Sequence, residues 1–195
     1  MLAAVEKGDA KELAELIRQD PGFNVNMELD GQRLTLLHHA CGRDGSSALI
    51  PLLLAHPDID VNSKDVGGIT PFFFACGTGR ISCLREMLKD SRVNQNEPAD
   101  NGKTPPWGAA YNGQLEAIKW WIASEKEMDL GIPGDVDKTD AIGVAKKYGH
   151  VEVVTLLERF QSDAAKTRGE VRLELGINGQ YYSYCYSSIL FLFLF

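Results

Sequence analysis

The amino-acid sequence predicts an all-α solenoid of about five helix-turn-helix units, with finger loops between them and a C-terminal capping helix. The first observation is a short helix, a glycine turn and a second helix, clearest from Thr70 to Leu88, which recurs along the chain. The second is the spacing of the turn glycines, which is 37, 34, 34 and 36 positions by subtraction of their numbers: Gly8, Gly45, Gly79, Gly113 and Gly149. Repeats of this length indicate units that stack on their neighbours around one continuous apolar strip.

Local signals define each element of the unit. Thr70 before Pro71 is a helix start, because the hydroxyl caps a free N–H and proline at the first helical position loses no hydrogen bond. Gly79 is placed to end that helix in a left-handed conformation. Apolar residues then recur at helical spacing and predict a second helix with one buried face: Ile81, Leu84, Met87 and Leu88.

The other four copies follow the same order. Their first helices are predicted at these positions: Ala3–Ala4 before Gly8, Thr35–Cys41 before Gly45, Thr104–Ala110 before Gly113, and Asp140–Ala145 before Gly149. A period near 33 with a T-P-L-H-x-A start resembles the ankyrin repeat. The resemblance covers roughly Leu2 to Phe160, with His38 on the motif histidine, whereas Phe73, Trp107 and Gly143 depart from the motif.

Two deviations are expected to change the local structure. Arg33 takes the place of the family glycine at a finger tip, which predicts an altered tip. Pro51 falls in the second helix of its repeat, beyond the expected first turn, and should kink or shorten that helix. In the fourth copy, Trp121 matches a buried family leucine, and Trp120 is expected toward the edge of the core.

The repeats are assigned to residues 1–160, a capping helix to 161–175 and an uncharged apolar tail to 176–195. Lys166, Arg168 and Arg172 are expected on the outer face of the capping helix, and the core is expected to close before Gly176. The tail is read as disordered or as an artefact of a misread gene boundary. A short membrane-interface segment and a hydrophobic dock remain alternatives. The abrupt first helix suggests either a fragment of a longer protein or a shortened cap.

Composition limits the classes of partner. A formal charge of −7 argues against nucleic acid or an anionic membrane surface. The four cysteines form no C-x-x-C pair, so a reducing compartment is predicted, cytoplasmic or also nuclear, with no metal site. No secretory signal is visible at the N-terminus, and a membrane contact is expected only through the tail.

No enzyme signature is found, so neither catalytic residues nor a cofactor is predicted. His38 and His39 precede Cys41 but lack the Asp-His-His-Cys order of ankyrin-containing palmitoyl transferases. The resemblance instead implies that His38 bonds backbone groups of the neighbouring loop. His56 and His150 have no nucleophile and carboxylate at a recognised spacing.

The resemblance implies a non-catalytic scaffold or adaptor, a monomer that binds another protein through its concave face and finger loops. The residues that match the family's contact positions form the predicted partner-binding strip: Arg33, Leu34, Arg43, Asp44, Val66, Ile69, Thr78, Asn101, Lys103, Tyr111, Asn112, Asp137, Lys138, Lys147 and Tyr148. Tyr111 and Tyr148 are the expected anchors, because aromatic residues are enriched at binding hot spots. The alternatives are the targeting arm of a larger enzyme such as a kinase, and an adaptor tethered to a membrane by the tail.

Overall fold

The computed structural model describes residues 2–20, 22–43, 45–131 and 139–177 of the chain. In these ranges eleven helices follow one another: α1 (Leu2–Lys7), α2 (Ala10–Gln19), α3 (Leu36–Gly42), α4 (Leu49–Leu54), α5 (Pro71–Thr78), α6 (Ile81–Lys89), α7 (Pro105–Tyr111), α8 (Leu115–Ala123), α9 (Ala141–Tyr148), α10 (Val151–Ser162) and α11 (Ala164–Glu174).

The first ten helices form five pairs stacked in two rows. The inner row consists of α1, α3, α5, α7 and α9, and each of these helices contacts the next member of the row. The outer row, α2, α4, α6, α8 and α10, is connected in the same way. One buried apolar cluster runs between the rows, from Leu13 in the first pair to Phe160 in the last. The predicted all-α solenoid is confirmed.

The predicted helix starts and turns are also confirmed. The Thr70 hydroxyl accepts a hydrogen bond from the Phe73 N–H at 3.3 Å, and α5 begins with Pro71. In the last pair Asp140 does the same for the Gly143 N–H at 2.6 Å. All five turn glycines have φ between +67° and +80°, the left-handed region in which a side chain is strained.

Pro51 acts differently from the prediction. Helix α4 begins only at Leu49, so Pro51 is its third residue rather than a residue beyond the first turn. An N–H at that position has no acceptor within its own helix, so proline removes no helical hydrogen bond. The expected kink is therefore wrong. The helix is nevertheless short, with 6 residues against 9 in α6, because a turn replaces its first part.

The fingers are tight hairpins joined to one another. In the second unit the Leu29 N–H donates to the Leu34 carbonyl at 2.9 Å. Neighbouring fingers are connected at their tips, where the Val66 N–H donates to the Gln32 carbonyl at 3.0 Å. Arg33 has φ 62°, close to the 74° of Gly68 at the same place in the next finger. The expected change of the tip is therefore confined to the side chain, because the arginine adopts the backbone conformation of the glycine.

A ladder of asparagines ties successive units together, and the sequence analysis missed it. The Asn26 side chain donates to the Asp58 carbonyl at 2.6 Å and accepts from the Asp60 N–H at 2.8 Å. Asn62 and Asn96 repeat this arrangement one and two units later. Each amide satisfies one donor and one acceptor of the next loop, which fixes the loops in register.

Helix α11 packs against α8 and α10. Arg172 does not point outward as expected: its Nε donates to the Ala123 carbonyl at 3.0 Å, and its guanidinium pairs with Glu125 at 2.7 Å. Ile177 is 9% exposed and belongs to the apolar cluster. The expectation that the core closes before Gly176 is therefore wrong, since an apolar residue beyond that glycine is buried. The remainder of the predicted tail, residues 178–195, lies outside the described residues.

Candidate functional site

The predicted partner-binding strip can be divided into two parts, which come from successive pairs of units. Twelve of its fifteen residues are described, and Asp44, Asp137 and Lys138 lie outside the described residues. The first part comes from the second and third units and the second part from the fourth and fifth units.

Residues of the first part are mostly engaged in bonds within the protein. Arg33 pairs with Glu28 at 2.9 Å, and Arg43 lies 3.7 Å from Glu6. Leu34 and Ile69 are half-buried at the bases of their fingers, whereas Val66 is 51% exposed at a tip. The Thr78 hydroxyl donates to the carbonyl of Phe74, one turn earlier in α5, at 2.6 Å.

The second part contains stacked aromatic rings. Trp107 and Tyr111 lie one turn apart on α7, with ring centroids 5.2 Å apart and planes only 14° from parallel. Tyr148, at the end of α9, meets Tyr111 edge to face with centroids 4.5 Å apart. We call Trp107, Tyr111 and Tyr148 the aromatic cluster. It places the two predicted anchors in direct contact across two repeats.

The aromatic cluster combines a buried base with an exposed rim. Trp107 is 8% exposed, whereas Tyr111 and Tyr148 are 37% and 48% exposed. The contact with Trp107 holds the Tyr111 ring in place, so little side-chain entropy remains to be lost when a partner binds. Pre-ordered, half-exposed aromatic rings are typical of binding hot spots.

Two lysines of the predicted strip lie beside these rings. The Lys103 ammonium is 4.1 Å from the centroid of Trp107, and the Lys147 ammonium is 5.8 Å from that of Tyr148. A hydrogen bond with Tyr148 raises the pKa of Tyr111, while the positive charges of Lys103 and Lys147 oppose that rise. The Tyr111 phenol therefore remains a neutral hydrogen-bonding group at neutral pH.

Asn101 and Asn112 of the second part have structural bonds. The Asn101 side chain accepts from the Lys103 N–H at 3.1 Å and closes its finger. The Asn112 amide donates to the carbonyls of Gly77 at 3.0 Å and Gly108 at 3.2 Å, which joins the end of α7 to the last turn of α5. The Asn101 side-chain oxygen and the Asn112 side-chain NH2 group are therefore already used within the protein.

Sequence analysis missed two contributors to this surface. Trp107 was noted only as a departure from the motif, yet its ring forms the base of the aromatic cluster. Phe73 packs over Gly108 so closely that a Cβ there would lie 2.6 Å from the Phe73 ring. The signal was available, because both aromatic residues occupy the motif position that His38 fills in the second unit. That position faces the next repeat.

His38 has the structural role predicted for it. Its Nδ1 accepts from the Thr35 N–H at 3.2 Å, which leaves the proton on Nε2 to be donated to the Ile69 carbonyl at 3.0 Å. The ring is 1% exposed, and burial lowers the pKa of His38. Only the neutral ring makes both bonds, because protonation of Nδ1 would remove the acceptor for Thr35.

We expect His38→Ala to lower stability by about 1–3 kcal/mol, because a buried N–H and a carbonyl lose their partner. In the parent protein, the pKa of His38 is lower in the folded than in the unfolded state. The stability that neutral His38 contributes is therefore fully present above the ordinary pKa of about 6.5, and it decreases as the pH falls below that value. Urea unfolding at pH 7.5 and pH 5.5 measures both effects. His39→Ala is the control for the lost hydrogen bonds at pH 7.5, since His39 Nε2 has no hydrogen bond within the described residues; burial lowers the pKa of His39 as well, so it is not a control for the pH dependence. A His38→Ala protein as stable as the parent would contradict this role.

The three cysteines of the described residues are buried. Burial raises the pKa of Cys41 and Cys76 well above the ordinary thiol value, so both remain protonated. In the same ranges, no three His, Cys, Asp or Glu side chains are grouped as metal ligands. No helix in these ranges is both long enough and apolar enough to cross a membrane.

Comparison with known proteins gives one family and several longer relatives. The family described as "Ankyrin repeats (3 copies)" matches residues 1–97 and 37–130. SMC5-SMC6 complex localization factor protein 1 of Homo sapiens is 39% identical over 85 residues, which are 44% of this chain and 8% of that protein. Tyrosine-protein kinase Shark of Drosophila melanogaster is 28% identical over 165 residues, 84% of this chain and 17% of the kinase. Rabankyrin-5 of Homo sapiens is 26% identical over 133 residues, 68% of this chain and 11% of that protein.

Proposed function

Because the chain belongs to the ankyrin-repeat family, we propose that it is a non-catalytic scaffold or adaptor that binds another protein through its concave face and finger loops. Ankyrin repeats are protein–protein interaction modules, and the aromatic cluster is the observation that supports a specific contact point here. Tyr111 and Tyr148 leave 37% and 48% of their surfaces open on the inner row of helices. A rigid stacked surface loses little entropy on binding, which favours recognition by a repeat protein.

We propose that the chain acts as a monomer in a reducing compartment, the cytoplasm or the nucleus. Cys41 and Cys76 are free and buried, which suits a reducing environment. The solenoid is covered at its C-terminal side by α11, whose charged residues reach back to α8 and α10. Lys119 of α8, for example, pairs with Glu174 at 2.6 Å. Such a polar cover favours solubility of a single copy.

A second possibility is supported by the kinase relative. The similarity to tyrosine-protein kinase Shark extends over 84% of this chain but only 17% of that protein. The repeats would then be the targeting arm of a larger enzyme. The chain spans a small part of the other relatives as well, 8% and 11% of the two given above. In either arrangement the proposed role of the repeats is to bind a protein.

The test is an affinity pull-down from a cell lysate. It compares the proteins retained by the parent chain with those retained by the double variant Tyr111→Ala/Tyr148→Ala. Both side chains are exposed, so circular dichroism should show an unchanged fold. Leu173→Ala is the matched control, because Leu173 is 76% exposed on α11, away from the inner row. We expect at least one protein from a cell lysate to be retained by the parent and by the control, and to fall about tenfold or more with the double variant. Equal retention by all three baits would overturn the proposed surface.

A further inference from the structure

We propose that the segment recognised at the aromatic cluster is acidic, with a carboxylate side chain of Asp or Glu placed beside Lys147 and an apolar or aromatic neighbour packed on Tyr148. This inference rests on the proposed function and names the chemistry of the partner. It follows from the charged groups that the described residues place beside the rings, which are positive, whereas the whole protein is negative.

Among the described residues, the ammonium groups of Lys103 and Lys147 lie beside the rings of the cluster. The charged groups that act on the Tyr111 phenol are Lys103 and Lys147, both of which lower its pKa. Lys147 is exposed and has no ion pair within the described residues. The neighbouring Lys146 is neutralised by Glu158 at 2.7 Å. A carboxylate that approaches the rim therefore meets an ammonium group with which it forms a charge-assisted hydrogen bond.

A cationic ligand is disfavoured at the same place. Cations bind the electron-rich faces of aromatic rings, and here Lys103 already lies over Trp107 at 4.1 Å. Lys147 lies 5.8 Å from the ring of Tyr148. A lysine or arginine of a partner would have to displace one ammonium and would be repelled by the other. The site therefore selects against the basic partners that the overall negative charge would attract.

The net charge of −7 does not prevent this contact. Charges separated by more than about 8–10 Å are largely screened at physiological salt. Several carboxylates are also paired locally with other residues, as Asp90 is with Arg92 at 2.6 Å and Glu97 with Lys64 at 2.5 Å. We therefore expect specificity at the cluster to depend on Lys147, the phenols and the rings.

A random dodecapeptide library displayed on phage tests the inference directly, because it samples acidic, neutral and basic segments alike. Peptides are selected on the full chain and kept if they lose binding to Tyr111→Ala/Tyr148→Ala. We expect this set to be enriched in Asp and Glu. The strongest peptide is then synthesised with a fluorescein label, together with a form in which Asp is changed to Asn and Glu to Gln. Both peptides are titrated with the full chain, and binding is measured by fluorescence anisotropy.

We expect Lys147→Glu to lower the affinity for the acidic peptide about tenfold, because a repulsive negative charge replaces an attractive positive one. Lys166→Glu is the matched control: it changes the net charge equally, lies exposed on α11 and should alter the affinity less than about twofold. Affinity should also fall when the NaCl concentration is raised from about 50 to about 500 mM. The inference of an acidic partner would be overturned if the cluster-dependent peptides were neutral or basic, or if the acidic peptide bound Lys147→Glu as tightly as the parent. Either result would leave the proposed surface intact. Selected peptides that all ignore the double tyrosine variant would overturn the proposed surface itself.

Discussion

Gly113→Val should destabilise the protein by about 2–4 kcal/mol, one of the largest effects expected from a single substitution outside the apolar cluster. Gly113 has φ +67°, which a β-branched residue strongly resists. A Cβ at this position would also lie 2.5 Å from Nδ1 of His150. That ring has little room to move, because its Nε2 is hydrogen-bonded to the Tyr111 carbonyl at 3.0 Å.

Gly149→Val separates the two causes. Gly149 occupies the same motif position and has φ +77°, but among the described residues no atom lies within 4 Å of a Cβ built there. It should therefore show only the backbone strain, about 1–2 kcal/mol. Urea unfolding followed by circular dichroism measures both variants against the parent. Equal losses would show that the His150 contact adds nothing, and a Gly113→Val protein that melts like the parent would contradict the register of the repeats.

Trp121→Ala should cost about 3–5 kcal/mol, the usual range for removing a buried tryptophan. The side chain is 1% exposed and meets Phe72 of α5 edge to face, with centroids 5.0 Å apart. Its Nε1 also donates to the Glu127 carbonyl at 3.3 Å. The substitution would leave a cavity between the inner and outer rows and a carbonyl without its donor. Thermal unfolding should show a melting temperature lower by roughly ten degrees, if the loss falls in this range.

Trp120→Ala is the matched control for this prediction. Trp120 is the preceding residue of the same helix, half-buried at the edge of the core, with the Arg85 guanidinium 4.1 Å from its ring centroid. A cation–π contact at such a site contributes about 0.5–1 kcal/mol, so the loss should be several times smaller than for Trp121→Ala. If the two variants lose similar stability, Trp121 is not the residue that joins the rows.

Much of the fold could be predicted from local signals in the sequence. Thr70 before Pro71 fixed the start of a helix, and the turn glycines fixed its end, because both signals act within a few residues. Their repetition then predicted the stack, although no long-range contact is visible in a sequence. The predictions were wrong where neighbouring elements determine the start of a helix or the direction of a side chain. Pro51 is harmless only because its helix begins later than expected, and Arg172 turns inward because the end of α8 offers a carbonyl and a carboxylate.

The candidate site shows the same division. The repeat register, which is written in the sequence, assigns Tyr111 and Tyr148 to the concave face. Packing between the units then brings the two rings into contact, places Trp107 beneath them and sets Lys103 and Lys147 beside them. The asparagine ladder was likewise hidden, because each amide bonds a loop some thirty residues away. Register is a local property that a periodic sequence records, whereas contacts between repeats depend on how neighbouring units pack.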